Sequence, residues 1–238
     1  MNILLTGGAS GLGLEIFNKL SSLGHDVVFT YKNSEKQAEL NIKNSPSAKK
    51  IKCDFLSALD LEALVREISH LNIDVLINNA LPIIQAQQFQ KMNVDLLINS
   101  FASSVVPCLK ITQACIANFR KKRSGRIISI LSSYVIGNPP LGYSEYVANK
   151  AYLLSMSRSW AVENAKFGIS VNSISPSIMR TPLNAEVDER ILENLEQLNP
   201  FKKLVTIEEV AAIVDFLIRA PMQLNGCNIP INGGQDVI

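Results

Sequence analysis

Tyr146 and Lys150 stand four residues apart. At that spacing two side chains share one helical face, so a phenol and an ammonium address the same point. None of the other four tyrosines has a lysine at this offset. Taken alone, the pair is equally well a solvated helix face. Ser132 and Ser133 add to it, because they close a strand-like apolar run fourteen and thirteen residues upstream. A hydroxyl at such a strand end can hydrogen-bond a carbonyl oxygen. The chemistry within reach is proton transfer at an oxygen atom.

A second group is rich in glycine. Thr6-Gly7-Gly8-Ala9-Ser10-Gly11-Leu12-Gly13 joins the first apolar run to the first helical pattern. Glycines there let the backbone turn tightly and approach a pyrophosphate, and the following helix offers N–H groups and the positive end of its dipole. The spacing is TGxxxGxG rather than GxGxxG, and the lysine of an ATP-hydrolysing phosphate loop is missing.

The elements that must position these groups alternate. Strand-length runs rich in Val and Ile are expected at 2–5, 26–30, 50–53, 74–77, 126–131, 169–174 and 226–231. Helical patterns are expected at 12–23, 57–71, 87–120 (broken near Pro107), 146–167 and 206–219. Thr206 and Glu209 have the spacing of a capping box. Short apolar strands alternating with helices predict an α/β fold: a seven-stranded parallel sheet, doubly wound and Rossmann-like, with helices on both faces. Ligand loops then lie at the carboxyl ends of the strands. With no linker composition and no internal repeat, residues 1–238 are expected to form one domain.

Composition narrows the class. Twenty-three basic residues against twenty-one acidic give a net charge of +2, without the basic footprint of a nucleic-acid protein. Four scattered cysteines and two histidines make a metal centre unexpected and suit a reducing, cytoplasmic setting. No apolar run reaches membrane-spanning length, and residues 2–5 already look like a strand rather than a signal.

Together these motifs resemble the short-chain dehydrogenase/reductase family. TGxxxGxG at Thr6–Gly13, Asn78-Asn79-Ala80 after the fourth strand, Ser132, and Tyr146-xxx-Lys150 stand in that family's order and approximate spacing, across essentially the whole chain. The 3-oxoacyl-carrier-protein reductase branch is the most similar. Sugar epimerases fit worse, because Leu14 occupies the place of a glycine they require.

The resemblance implies an NADP(H)-dependent interconversion of a carbonyl and an alcohol on a small substrate, free or carrier-bound. Tyr146 would be the acid or base, its pKa of ~10 lowered by Lys150 and the oxidised nicotinamide. Ser132, with Ser133 as the alternative, would orient the carbonyl. Lys150 would also hold the nicotinamide ribose. Gly7, Ser10, Gly11, Leu12 and Gly13 would line the diphosphate and adenosine ribose. Asp54 would meet the adenine, Asn79 and Ala80 the adenosine side, and Ile178 and Thr181 the carboxamide. At the end of the second strand stand Tyr31 and Lys32, where an acid would bind a ribose 2′-hydroxyl. Lys32 therefore points to NADP, with NAD possible. A homotetramer or homodimer is the family's habit.

The chain also departs from that pattern. Leu81 replaces a glycine after Asn78-Asn79-Ala80, and Ser104 falls where the family's catalytic asparagine is expected. Ser177 replaces a glycine after Pro176, so that turn must avoid positive φ. Residues 180–200 are the expected substrate lid, with an apolar stripe at Ile191, Leu192, Leu195 and Leu198 that equally suits packing on the body. The basic run Arg120-Lys121-Lys122-Arg123 reads first as a solvated loop and second as an attraction for an acidic carrier. The competing reading is a non-catalytic NADP-binding redox sensor.

Overall fold

A computed structural model describes residues 1–82, 86–184 and 187–236, apart from the side chain of Leu96. Seven strands form one sheet: β1 (Asn2–Leu5), β2 (Asp26–Tyr31), β3 (Lys49–Lys52), β4 (Val75–Asn78), β5 (Gly125–Ile130), β6 (Ile169–Pro176) and β7 (Asn228–Ile231). Their spatial order is β3-β2-β1-β4-β5-β6-β7, and every pairing is parallel. The order reverses between β1 and β4, which is where open α/β sheets keep their ligand crevice.

Strand alternation sends successive side chains to opposite faces. Ile3 and Leu5 join one core, with α1 (Gly11–Ser22), α2 (Glu35–Asn44) and α7 (Ile207–Arg219) packed on it. Leu4 joins the other, under α3 (Ala58–Ile68), α4 (Val94–Lys122) and α5 (Ser144–Asn164). The shorter α6 (Glu189–Leu198) follows β6. All seven strands lie within a residue or two of the sequence expectation.

The helices differ more. Residues 87–120 do not form a helix broken at Pro107: Phe89–Lys91 is a separate 3₁₀ turn, and α4 runs unbroken through Pro107. Asn93 caps it by accepting the Asp95 N–H at 2.9 Å. Proline deprives the Ser103 carbonyl of its helical donor, a cost of ~3 kcal/mol or more. Anchoring on either side outweighs that cost, since Val105, Ile111, Cys115 and Phe119 are fully buried. By length and composition alone, Leu97–Lys122 is apolar enough to cross a membrane.

The sequence reading did not identify α2, whose only buried residues are Ala38 and Asn41, too few for a visible apolar face. The capping box at α7 is present, with Glu209 N–H donating to Thr206 Oγ1 at 3.3 Å and Thr206 N–H to Glu209 Oε2 at 3.0 Å.

Candidate functional site

The glycine loop leaves β1 and opens α1 at the switch point. Gly7 has φ +71° and Gly11 φ +50°, conformations that L side chains rarely adopt. At Gly13 a Cβ would run into the Gly7 carbonyl, and at Gly7 it would press on Ala80 Cα at 3.1 Å. The loop is tied down on both sides. Gly7 N–H donates to Thr30 Oγ1 at 3.0 Å and Gly8 N–H to Thr30 O at 2.9 Å. Ser10 is the N-cap of α1, yet its hydroxyl caps no helical N–H. A flat backbone cradle opening on a helix start fits a diphosphate.

Thr6 links this loop to the Asn78-Asn79-Ala80 segment. Its Oγ1 accepts from Asn79 N–H at 2.9 Å and Ala80 N–H at 3.0 Å. The Asn79 side-chain amide donates to Thr6 O at 3.0 Å and Gly7 O at 3.2 Å. The far side is closed by the segment after β6: a Cβ on Gly11 would meet Pro182 at 3.3 Å and Thr181 at 3.6 Å. Thr181 therefore lies over the phosphate loop, and Ile178 is half-buried before it. Ser177 avoids positive φ, as its side chain requires. At the outer edge, Lys32 follows β2, Asp54 follows β3, and the two form an ion pair at 3.0 Å.

The other group gathers where β5 ends and α5 begins. Ser132 and Ser133 are both buried. Ser132 begins a 3₁₀ turn, its Oγ accepting the Tyr134 N–H at 3.3 Å. The Ser132 hydroxyl lies near enough to the Tyr146 phenol to draw its pKa down, which favours Ser132 over Ser133 as its partner. Lys150 lies one turn along α5, its Nζ 5.8 Å from the Tyr146 ring centre and donating to Ile130 O at 2.7 Å.

The electrostatics differ from expectation. Burial raises the Tyr146 phenol above its ordinary pKa, with the nearby Ser132 hydroxyl pulling the other way. The expected lowering of Tyr146 is not present in the protein alone, because burial of the phenol dominates, and Lys150 directs its bond to a backbone carbonyl. Burial drops the lysine itself to about 8, against 10.5 for the free side chain, and the Cys108 thiol opposes this drop.

Lys150 faces a cavity of about 20 Å³, enough for a single water. Ser104, Cys108, Asn78 and Ser129 also line it. Among the described residues, the Asn78 Oδ1 and Ser129 Oγ atoms are buried without a hydrogen-bond partner. Beside it, sharing Ser104 and Leu81, opens a cleft of about 230 Å³ lined by Tyr146, Glu145, Asn149 and Asn99. Sequence reading foresaw Ser104 here but not Cys108, Ser129, Thr30 or the role of Thr6. Thr6 and Thr30 were detectable only as polar residues at the ends of buried strands.

The proposed lid is partly described, because residues 185 and 186 lie outside the described residues. Within α6 only Leu192 of the stripe is deeply buried, while Ile191 is 53% and Leu198 61% exposed. The basic run is largely held by the protein itself. Arg120 donates to Asn164 at 2.7 Å, Lys122 pairs with Asp74 at 2.6 Å and Arg123 donates to Lys166 O at 2.9 Å.

A doubly wound sheet with this glycine loop and a Ser–Tyr–Lys group beside it has the form of a short-chain dehydrogenase/reductase. The family described as enoyl-(acyl carrier protein) reductase matches residues 7–236, and the chain belongs to this short-chain dehydrogenase/reductase family, in its 3-oxoacyl-carrier-protein reductase-like branch. The 3-oxoacyl-acyl-carrier-protein reductase FabG of Rickettsia prowazekii is 30% identical over 240 residues, covering 97% of this chain and 95% of that protein. The corresponding reductase MabA of Mycobacterium tuberculosis is 28% identical, covering 98% and 92%. A short-chain dehydrogenase from Burkholderia cenocepacia, solved in complex with NADP, superposes with a TM-score of 0.86 at 25% identity, over 98% of this chain and 96% of that one.

Proposed function

We propose that this chain is an NADP(H)-dependent oxidoreductase that interconverts a carbonyl and an alcohol, with a 3-oxoacyl thioester or a similar β-keto compound as substrate. The observation that carries this reading is the convergence of Ser132, Tyr146 and Lys150 beside the glycine loop. The names of the relatives, reductases of carrier-bound 3-oxoacyl groups, support the substrate class.

The residues fit the cofactor. Gly7, Ser10, Gly11, Leu12 and Gly13 form the phosphate cradle, whose shape a Cβ at Gly13 would break by colliding with the Gly7 carbonyl. Asn79 and Ala80 wall the adenosine side, Asp54 and Lys32 stand at the adenosine edge, and Ile178 and Thr181 cover the nicotinamide end. When bound, the nicotinamide supplies or accepts a hydride. Ser132 orients the carbonyl oxygen, and Tyr146 donates the proton to it. A phenol held above its ordinary pKa stays protonated at neutral pH, the form that reduction needs. Lys150 holds the ribose and adds positive charge beside the developing oxyanion.

Residues 1–238 act as one domain in this reading, with 180–200 as the lid. Arg180 bonds Glu189 at 2.7 Å and so ties the base of that segment to its helix. A homotetramer or homodimer fits the exposed apolar residues of α4 and α5, Val94, Ile98 and Val162. Four free cysteines fit a reducing compartment such as the cytoplasm.

The test is Tyr146→Phe with NADPH and a panel of 3-oxoacyl thioesters. Loss of the proton donor is expected to cut turnover by about 10²–10⁴-fold, with NADPH affinity nearly unchanged. Turnover that survives the substitution overturns the assignment of Tyr146. A wild-type protein that binds NADPH but moves no carbonyl or alcohol supports the sensor reading instead.

A further inference from the structure

The adenosine edge of the site carries a contradiction. Lys32, the cation that would attract a 2′-phosphate, is already engaged by Asp54 at 3.0 Å. We propose that Asp54 competes with the 2′-phosphate of NADP(H) for Lys32, so that this ion pair narrows the preference for NADP(H) over NAD(H). The proposal rests on the cofactor reading above and makes it more specific.

The backbone places the pair there. β2 and β3 run parallel with Tyr31 opposite Lys52, and Cys53 N–H extends the ladder to Tyr31 O at 2.9 Å. Lys32 and Asp54 therefore emerge side by side at the carboxyl ends of neighbouring strands, the end where nucleotides bind such sheets.

The partners are held unequally. Asp54 is fastened from two sides: its Oδ1 accepts the Leu56 N–H at 3.0 Å, and its own N–H donates to Asp60 Oδ2 at 2.9 Å. Both the Leu56 bond and the Lys32 bond hold its carboxyl below the usual carboxylate range, so it stays charged at neutral pH. Lys32 is a flexible stem, 48% exposed, with no other ionic partner among the described residues. An incoming phosphate must draw the ammonium away from a carboxylate that cannot follow it.

Two lysines of β3 at this edge turn toward Glu35. Lys50 pairs with Glu35 at 2.7 Å, and Lys52 lies 3.8 Å from the same carboxylate. Tyr31 donates its hydroxyl to Glu35 as well, at 2.8 Å. Glu35 thus has three partners, and Lys32, the first residue past β2, is the cation at the strand end where a 2′-phosphate would sit. NADH carries no such phosphate and leaves the pair intact.

Exposed ion pairs are weak, so the competition shifts selectivity by a modest factor of about two to five. The test is titration of the full chain with NADPH and with NADH, followed by calorimetry, for wild type, Asp54→Asn, Lys32→Ala and the double variant. Asparagine keeps the oxygen that accepts the Leu56 N–H. The readout is the NADH-to-NADPH ratio of Kd values, in which any adenine contact of Asp54 cancels. Asp54→Asn is expected to raise the ratio about two- to fivefold, and Lys32→Ala to lower it below wild type. In the Lys32→Ala background, Asp54→Asn is expected to add nothing. An unchanged or falling ratio in Asp54→Asn overturns the proposal, as does a full gain that persists without Lys32. Wild type that binds neither cofactor overturns the cofactor reading itself, a different result.

Discussion

Around the glycine loop the protein meets its own hydrogen-bonding needs. Thr30 accepts from Gly7 and Gly8, while Thr6 and Asn79 tie the loop to the end of β4. Around Lys150 the opposite holds. Among the described residues, Asn78 Oδ1 and Ser129 Oγ are buried without partners, and the lysine's one protein acceptor is the Ile130 carbonyl. The first region is a rigid frame that recognises a shape through backbone. The second holds polar groups in a place that costs stability. Unsatisfied buried groups are rare in folded proteins and mark strained or functional positions. Binding and chemistry are thus divided between a region stabilised by its contacts and one that draws on that stability.

Substituting Lys150 by Met tests the costly side most directly. Turnover is expected to fall by about 10²-fold or more, because the ammonium beside Tyr146 is gone. Stability is expected to rise. The folded pKa of about 8 lies below the 10.5 of the free side chain, so the folded state binds its proton less readily. The penalty is full below pH 8 and fades as pH climbs toward 10.5. Its upper bound is about 3 kcal/mol, at ~1.4 kcal/mol per pKa unit. Thermal melts of the free protein at pH 7 check this, and a lower Tm for Lys150→Met contradicts it.

The same group sets a pH limit. If the charged lysine is the working form, kcat/KM for NADPH declines as pH passes about 8. A rate that stays flat to pH 10 separates turnover from the charge on Lys150.

On the frame side, Gly13→Ala forces a methyl group into the Gly7 carbonyl. Overpacking of this kind costs about 1–3 kcal/mol. NADPH affinity is expected to fall along with Tm, because frame and cradle are the same atoms. A variant that loses stability and keeps full affinity argues that the loop is scaffold alone. The smallest effect belongs to Thr206→Ala, which removes the cap of α7 far from the chemistry. Chemical denaturation should show a loss of about 1 kcal/mol, with kcat and KM unmoved.

The frame was the more legible half in the sequence. Gly7, Gly11 and Gly13 stand where φ or close approach excludes other side chains, so residue type alone marks them. The proposed tyrosine–lysine pair was legible as spacing, since a four-residue interval in a helix fixes a shared face, and Ser132 only as a hydroxyl at a strand end. Pro107 was misread because propensity is local, whereas the burial of Val105, Ile111 and Phe119 on either side is not. α2 was missed because a helix with two buried residues has almost no periodic signal.

The sequence by itself determined the α/β alternation, the glycine loop, the tyrosine–lysine face and the capping box of α7. Each depends on residues within a few positions of one another, where backbone geometry allows few outcomes. Tertiary structure alone decided that Thr6 bonds to Asn79, that Lys32 meets Asp54, and that Lys150 and Tyr146 shift in opposite directions. Those outcomes depend on desolvation and on partners distant in the chain, and neither exists until the sheet has brought its strand ends together.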